Sequence, residues 1–507
     1  MTYELPIGWE AAPLKDLIEP RSERVPPQSM PDAPFIGMEH VEPHTNQVLE
    51  TVPASTMTSN AARFYGGDVL YGRMRPYLNK VISPSFDGLA SAEFIVFPKN
   101  DVMDSRFLLM RLSSSDFTEF ACNQYEGDRP RVKFDRLGNF KFLLPPAAEQ
   151  TRIVEKLAEL LSELEAGVAE LKAAQRKLAQ YRQSLLKAAV EGALTADWRA
   201  TQGKPKETGA ELLQRILKER RARWEQEQLT KFAERGKAPP KNWKEKYSEP
   251  VTPHLDSAAS IPASWAWAGI EQLADGRAHA LKAGPFGSAL KKEFYTSSGY
   301  KIYGQEQVIR GDACYGSYFI SESKYQELIS CSVQPADLLI SLVGTTGKIL
   351  VLPPDAAPGI INPRLLKVSL SANNVNPYYI QIVLESPYSR QFFKMNAHGG
   401  TMDVLNLGIL KELAIPLPDL AEQEEIARRV HEEIDSVERQ EQAISHALKQ
   451  AAAQRKNLLK AAFSGQLAPQ DPSDEPASAL LARIRADRES GALINARKRG
   501  RKTKEKT

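Results

Sequence analysis

Two loop segments in the first third of the chain concentrate the side-chain types that bind nucleic acid. Residues 72–80 combine three cations with an aromatic ring and an amide, and residues 127–133 supply three more cations directly before a predicted helix. Arginine and lysine pair with phosphate oxygens, and arginine and asparagine also match the edges of guanine and adenine. The candidate contacts are Arg73, Arg75, Tyr77, Asn79, Lys80, Arg129, Arg131 and Lys133.

Two glycine-containing turns in the second half of the chain offer a related chemistry. Segment 344–348 places hydroxyls and a lysine between two predicted strands, and segment 398–403 places glycines and a hydroxyl before a predicted helix. Backbone amides and hydroxyls at a helix N-terminus bind anions such as phosphate. Taken alone, each basic or glycine-rich loop is more typical of a solvated surface, but their recurrence at corresponding places favours DNA contacts. The candidates are Thr345, Thr346, Lys348, His398 and Thr401.

The sequence lacks the motifs of enzymes that act on nucleic acids. A phosphate-binding P-loop needs a glycine and a serine or threonine where the chain has Leu342 and Ile349. Pro145-Pro146 follows a leucine, whereas an adenine methyltransferase needs an asparagine or aspartate there. The seven histidines and three cysteines show no metal-ligand spacing. We therefore expect no catalytic residue, no metal and no cofactor bound by this chain.

An internal repeat organises the elements that must position these loops. The motif Leu-Pro-x-x-x-Glu-Gln begins two segments, 148–195 and 421–468, which match at a constant offset of 273 with 16 identities in 48 positions. The stretches before them differ in length and share only short landmarks, such as those around Trp9 and Trp265. Two unlike globular parts, each followed by a segment of fixed length, indicate two variable domains joined to two matched elements.

The two matched segments are predicted to be long helices. Each follows a proline, lacks internal proline and ends at a glycine, Gly192 or Gly465. Apolar residues recur mainly at intervals of three and four, the spacing of a coiled coil, with one phase slip at Ala174. The stripe residues are Leu157, Leu161, Leu164, Val168, Leu171, Leu178 and Leu185 in the first helix and Val430, Ile434, Val437, Ile444 and Leu458 in the second.

Three arrangements fit these stripes. Each helix could pack on its own globular domain, or the stripes could join two copies of the chain. An antiparallel coiled coil between the two helices is favoured, because helices packed on unlike domains have little reason to keep the same length. About 42 residues at 1.5 Å rise span roughly 60 Å, so such a pair would act as a rigid spacer.

Length and composition fit a multidomain protein of the cytoplasm. The 507 residues exceed one core, and the net charge of +3 means that nucleic-acid contacts must be local. We expect a soluble, cytoplasmic protein, since no signal peptide or membrane-spanning run is found. Short strand-like runs predict mixed α/β (α+β) domains rich in loops. The predicted divisions are 1–147, first globular domain; 148–195, first spacer helix; 196–258, charged helix and linker; 259–420, second globular domain; 421–468, second spacer helix; and 469–507, short helix and basic tail.

Together these motifs resemble the specificity subunits of Type I restriction-modification systems. The resemblance lies in the duplicated helix start, the Leu-Leu-Lys-Ala-Ala-x-x-Gly-x-Leu helix ending and the segments 67–80, 284–288 and 337–348, and it covers about residues 5–470. It implies two target-recognition domains, each reading one half of a split, asymmetric double-stranded DNA sequence. The two helices would pack antiparallel and fix the gap between the half-sites.

The same resemblance implies the partners. Two modification (methyltransferase) subunits, which hold S-adenosylmethionine and flip the target adenine, would dock on the chain. Restriction (motor-nuclease) subunits would then join that core, and no membrane would be involved. The alternative that the residues leave open is a coiled-coil scaffold that joins proteins without reading DNA.

Overall fold

The computed structural model of the chain describes residues 5–125, 130–253, 255, 260–286, 288–342, 347–396, 405–486 and 488. The chain forms two compact units: unit 1 comprises Met1–Ala173 and Ile444–Thr507, and unit 2 comprises Ala174–Ala443. Both units mix helices and strands, as predicted. Within the described ranges, no helix combines the length and apolar character needed to cross a lipid bilayer.

Unit 1 contains short strands flanked by helices. Its described strands are β1 (Glu10–Pro13), β2 (Arg24–Val25), β3 (Pro34–Ile36), β4 (Val52–Pro53), β5 (Ala61–Phe64), β6 (Val69–Gly72), β7 (Val81–Ile82), β8 (Gly88–Ala90), β9 (Phe94–Phe97) and β10 (Lys141–Leu144). Its helices are α1 (Leu14–Leu17), α2 (Ser105–Leu112), α3 (Ser115–Cys122), α4 (Phe134–Leu137) and the first part of α5 (Ala147–Val190). The strands pair in the orders β2-β5-β8-β3-β4, β7-β6-β9 and β1-β10.

Unit 2 has a similar make-up. Its described strands are β11 (Ala266–Gly269), β12 (Leu281–Ala283), β13 (Tyr295–Thr296), β14 (Tyr300–Tyr303), β15 (Phe319–Ile320), β16 (Ser332–Val333), β17 (Leu338–Ser341), β18 (Ile349–Val351), β19 (Gly359–Ile361), β20 (Leu365–Val368) and β21 (Ala414–Leu417). Its helices are α6 (Ala196–Gln202), α7 (Gly209–Glu234), α8 (Ile270–Leu273), α9 (Gln305–Arg310), α10 (Glu322–Glu327), α11 (Pro377–Glu385), α12 (Pro387–Asn396), α13 (Leu407–Glu412) and the first part of α14 (Leu420–Phe463). The strand orders are β13-β15-β14-β19-β16, β12-β20-β17-β18 and β11-β21.

The two units share a topology, which confirms the internal repeat. In each unit the first strand pairs antiparallel with the strand before a long helix, β1 with β10 and β11 with β21. The sheet β7-β6-β9 corresponds to β18-β17-β20, to which unit 2 adds β12 as an edge strand. The parallel pair β3–β8 corresponds to the parallel pair β14–β19.

The glutamate of each Leu-Pro-x-x-x-Glu-Gln motif binds the tryptophan near the start of a globular domain. Glu149 accepts a hydrogen bond from Trp9 Nε1 at 2.9 Å, and Glu422 accepts one from Trp265 Nε1 at 2.8 Å. All four side chains are buried. The motif therefore fastens the start of each long helix to the first strand region of the same unit.

The glutamine of the motif makes a second attachment. Gln150 Oε1 accepts a bond from the backbone N–H of Asp104 at 3.0 Å, and Gln423 Oε1 accepts one from that of Asn376 at 2.9 Å. Asp104 and Asn376 are the N-cap residues of α2 and α11. In each unit the glutamine of the motif thus positions the start of a helix of the globular domain, α2 in unit 1 and α11 in unit 2.

Within each unit the two long helices run antiparallel, as predicted. In unit 1 the first part of α5 lies against the last part of α14, and Arg455 pairs with Glu165 at 2.8 Å. In unit 2 the last part of α5 lies against the first part of α14, and Tyr181 donates to Glu433 at 2.8 Å. Each pair shares a hydrophobic cluster with the globular domain of its unit.

The predicted stripe residues face the inside of these helix pairs to different degrees. The fully buried ones are Leu157, Leu185, Val430 and Val437. The half-buried ones are Leu161, Leu164, Val168, Leu171, Leu178, Ile434, Ile444 and Leu458. Two helices cover only part of each other, so the middle of the stripe keeps partly exposed apolar surface.

The segment that follows each long helix packs onto the domain at which that helix ends. In unit 2 the N–H of Gly209, at the start of α7, donates to the carbonyl of Ser264 at 2.8 Å. In unit 1 the N–H of Ala477, at the start of the helix 477–486, donates to the carbonyl of Gly8 at 2.9 Å. Apolar residues of both helices enter the cores. The segment 469–486 is therefore an integral part of unit 1.

The segment 196–258 contains more helix than the sequence predicts. The predicted charged helix is present as α7, and a second helix, α6, precedes it. The second half of α7 carries Trp224 and Phe232, whose rings lie 5.8 Å and 6.2 Å from the ring of Trp243, which follows the helix. Aromatic packing of this kind buries apolar surface and thereby stabilises a helix beyond what its intrinsic helix propensity provides.

Candidate nucleic-acid interface

The two arginine-containing loops of unit 1 form a single surface. The N–H of Arg75 donates to the carbonyl of Pro130 at 2.8 Å, and the N–H of Val132 donates to that of Arg73 at 2.9 Å. Met74 and Arg131 are opposed in an antiparallel bridge. The loop after β6 is therefore extended by residues 130–132, although the two segments are more than fifty residues apart in the sequence.

Glu93 lies between two of these arginines and orients both. Its carboxylate lies 3.5 Å from Arg73 Nε and accepts a 2.8 Å bond from Arg131 Nε. The carbonyl of Glu93 also accepts a bond from the N–H of Arg73 at 2.9 Å. Arg73 keeps about a quarter of its side chain exposed. Both guanidinium groups are thus held in place, and the exposed part of each side chain can donate further hydrogen bonds.

Arg75, Tyr77 and Lys133 are the freely presented members of this surface. Arg75 and Lys133 are exposed, and Tyr77 is 48% exposed. Arg75 has a φ of 52°, a left-handed conformation that costs a non-glycine residue about 1 kcal/mol. Strained loop residues of this kind cluster at functional sites.

Asn79 and Lys80 are engaged within the protein. The Asn79 amide is buried and donates to the carbonyl of Ser113 at 2.7 Å. Lys80 Nζ donates to the carbonyl of Met38 at 2.6 Å. These bonds fix the end of the loop, and the direct DNA contacts that the sequence predicts for both residues stay a prediction.

Arg24, which the sequence analysis does not identify, lies close to Arg73 at the arginine surface of unit 1. It lies on β2, and the pKa of its guanidinium is lowered by partial burial and by the positive charge of Arg73. No sequence pattern links the two residues, because the proximity depends on how the two sheets pack. Crowded arginines repel one another in the free protein, and a bound polyanion would remove that repulsion.

The corresponding edge of unit 2 lies where β17 ends. Strands β17 and β18 pair antiparallel as a hairpin, whereas a phosphate loop leads from a strand into a helix. Lys348 is exposed on this hairpin. The backbone N–H of Leu342 donates to the carbonyl of Arg364, an exposed cation directly before β20, at 3.0 Å. Basic side chains therefore flank this edge too.

The remaining predicted contacts lie outside the described residues. They are Arg129 in unit 1 and Thr345, Thr346, His398 and Thr401 in unit 2. The basic segment 497–506 also lies outside them.

Both repeats match the same known domain. The model of the Type I restriction modification DNA specificity domain matches residues 6–172 and 286–450, about two thirds of the chain. These matches include the joined arginine loops of unit 1 and the β17 edge of unit 2.

Two proteins of similar sequence are specificity subunits of Type I restriction enzymes. The chain is 28% identical over 224 residues to the Type I restriction enzyme EcoDI specificity subunit of Escherichia coli, covering 43% of this chain and 50% of that protein. It is 30% identical over 167 residues to the EcoBI specificity subunit of Escherichia coli, covering 31% and 34%. The chain thus spans between a third and a half of the length of these relatives.

A solved structure shares the fold. A chain from work on complex assembly and conformational transition of the type I R-M system superposes with a TM-score of 0.62 at 17% identity. The superposition covers 92% of this chain and 100% of that one. The shared fold therefore includes both globular domains and both long helices.

Proposed function

The chain belongs to the family of Type I restriction-modification DNA specificity subunits, and we propose that it recognises a bipartite, asymmetric DNA sequence through its two globular domains. Each domain would read one half-site from the same side of the duplex. Because the two domains differ in sequence, the two half-sites would differ as well. The proposed role is binding and assembly, while the chemistry belongs to partner subunits.

The joined arginine surface of unit 1 carries this proposal. Glu93 orients Arg73 and Arg131, and Arg75 projects from a strained turn beside them. Fixed guanidinium groups present paired donors that match guanine in the major groove, whereas mobile surface lysines mainly contact phosphate. A rigid cluster of arginines is therefore suited to reading bases as well as to binding the backbone.

The partly covered stripe of the long helices supports a role in assembly. Leu164, Val168 and Leu171 in unit 1 and Leu178 in unit 2 are only half-buried by the chain's own helices. Helices of two methyltransferase subunits could complete their burial, one at each repeat. We propose that those subunits bind S-adenosylmethionine, that restriction subunits join them, and that the complex acts in the cytoplasm on host and invading DNA.

Selection from a pool of randomised duplexes tests this function. The full chain, bound to its methyltransferase subunits, should enrich a split sequence with two unlike halves. On the enriched duplex, Arg73→Ala and Arg75→Ala should each weaken binding about ten- to a hundredfold, because each removes a contact to a base edge. On a scrambled duplex of the same length, the loss should stay within a few-fold.

Arg106→Ala is the matched control for loss of a surface charge. Arg106 is exposed on α2 and pairs with Asp104 at 2.9 Å, so its removal should leave both affinities within about twofold. Equal losses on both duplexes for the Arg73 and Arg75 variants would assign these residues to phosphate contacts. A wild-type complex that enriches no sequence would contradict the proposed function and favour a scaffold.

A further inference from the structure

Phe286 is the most exposed large hydrophobic side chain of the described residues, at 92%. The backbone around it is nevertheless fixed. The N–H of Gly284 donates to the carbonyl of Leu365 at 2.9 Å, and Pro285 is buried. On the other side, the N–H of Ala289 donates to the carbonyl of Phe286 at 2.8 Å. The phenyl ring is therefore held out to solvent by a loop that is anchored on both sides, where it is accessible to a binding partner.

The loop that carries Phe286 lies at the β17 edge of unit 2. Strand β12 ends at Ala283, opposite the start of β20, and the end of β17 lies beside the same start. Gly284 lies so close to the carbonyl of Asn362 that any added Cβ would overlap it. The loop that carries Phe286 therefore begins directly beside the segment 362–365, which contains Arg364.

Arg364 lies beside an amide on the same edge. Its Nη1 donates to Gln305 Oε1 at 3.5 Å, and Gln305 Nε2 donates to Ser341 Oγ at 2.8 Å. The backbone N–H of Arg364 is fixed by the Asn362 side chain at 2.9 Å. An exposed guanidinium and a half-buried amide, each with bonds that orient it, are the groups that read guanine and adenine.

We propose that Phe286, Gln305 and Arg364 form the base-reading surface of unit 2. Arg364 and Gln305 bond base edges, and the Phe286 ring makes apolar contact with a base or a thymine methyl group. This inference rests on the proposed function and assigns specificity residues to the second half-site. The corresponding edge of unit 1 also combines arginines with an exposed aromatic ring, that of Tyr77.

DNA is a better occupant for this edge than another protein. A stable protein contact needs several hundred Å² of buried surface on each partner with an apolar centre, whereas here a single exposed ring accompanies the exposed cations Arg364 and Lys348. Single aromatic rings flanked by cations are typical of sites where a base is contacted and the phosphates are neutralised.

The test uses the full chain with its methyltransferase subunits and the duplex that the wild type selects from a randomised pool. Phe286→Ala should weaken binding to that duplex about tenfold or more, and binding to a scrambled duplex by less than about twofold. Phe286→Tyr, which keeps the ring, should restore most of the loss. Leu229→Ala removes a comparably apolar, exposed side chain on α7 and should change neither affinity.

A repeated selection with Arg364→Ala tests the reading of bases. Base preference should relax at one or two positions of one half-site and stay unchanged in the other half. A wild type that selects no split sequence would count against the proposed function itself. A split wild-type sequence that both variants retain at full affinity would overturn this assignment alone, and a loss of subunit assembly with Phe286→Ala would show that the ring contacts a protein.

Discussion

Glu149 and Glu422 occupy the same place in the repeat but have different partners. Glu422 Oε1 accepts a bond from Thr195 at 2.6 Å and a very short one from Arg199. Glu149 Oε1 is buried and has no bond among the described residues. The sequence explains the contrast, because Ala468 stands in the second repeat where Thr195 stands in the first. One carboxylate is therefore paired and the other is left partly unsatisfied.

The Glu149→Gln variant should reveal the unsatisfied carboxylate through its pH dependence. Burial raises the pKa of Glu149, so between its ordinary and its raised pKa the folded chain holds a proton that the unfolded chain releases. The free energy of unfolding of the wild type therefore falls as pH rises through that window. Glu149→Gln should remove this decline, which urea titrations at several pH values from 4 to 8 would measure. A decline of the same size in the variant would mean that other groups cause it.

The Glu422→Gln variant should behave in the opposite way. It removes the charge that Arg199 faces and leaves a half-buried guanidinium without its carboxylate. We expect unfolding to become easier by roughly 2–4 kcal/mol at pH 7. Glu149→Gln should change stability by less than about 1 kcal/mol at that pH. Hydrogen exchange of peptides from each unit would show which unit responds, and equal effects of the two variants would contradict the assigned contacts.

The candidate site could be predicted from the sequence only as separate loops. The cations of 72–80 and 127–133 were recognised from composition, but their union depends on backbone bonds between Arg73 or Arg75 and residues 130–132. The sequence does not predict that Glu93 orients Arg73 and Arg131, because a single acidic residue forms no recognisable motif. Arg364, Gln305 and Phe286 come from three separate segments, and only strand pairing and the hydrogen bonds of Gln305 show that they share an edge.

Three glycines of the long-helix segments have different physical roles. Gly192 and Gly465 end the helices with φ values of 75° and 74°, and a Cβ on either would lie 2.5 Å from a proline ring, Pro262 or Pro6. Gly167 lies in the middle of α5, where an added Cβ would meet nothing within 4 Å. The terminal glycines are therefore required by backbone and packing, and the central one is not.

Alanine at these positions should change stability in opposite directions. Gly192→Ala and Gly465→Ala should each lower the free energy of unfolding by about 1–3 kcal/mol, from left-handed strain and overlap with proline. Gly167→Ala should raise it by about 0.5–1 kcal/mol, because alanine favours the helix. Denaturant titration of the three variants would measure these shifts. A destabilising Gly167→Ala would indicate that the middle of α5 has a close neighbour.

The long helices were the most predictable elements, and the docking of the segments after them was the least. Prolines, closing glycines and a regular apolar stripe predict α5 and α14 closely, because these signals are local. Short strand-like runs likewise predict the mixture of strands and helices that both units show. In contrast, the packing of 477–486 onto unit 1 depends on residues far away in the sequence, such as Gly8, which no local pattern indicates.

At the scale of the whole molecule, unit 1 is built from two separate pieces of the chain, whereas unit 2 is one continuous piece. Unit 1 combines the first globular domain with the end of the second repeat, and unit 2 combines the end of the first repeat with the second globular domain. In each unit the glycine that ends a long helix lies against a proline three residues before a tryptophan. Gly465 lies against Pro6, before Trp9, and Gly192 lies against Pro262, before Trp265. A change in the length of one helix therefore has to be matched in the other, so that both of these glycine–proline contacts are kept.

The proposed role of the helices as a spacer predicts that their length sets the gap in the recognised sequence. Both helices have 44 residues, and deleting residues 162–168 together with 452–458 removes Glu165 and Arg455 as a pair while keeping the heptad phase. The helices would shorten by about 10 Å, or roughly three base pairs of duplex. Selection from randomised duplexes should then return the same half-sites at a shorter gap, or one half-site where the changed twist prevents joint binding. A control with the same residues replaced by a neighbouring heptad keeps the length and should keep the gap. An unchanged gap at full affinity in the shortened chain would refute the spacer role.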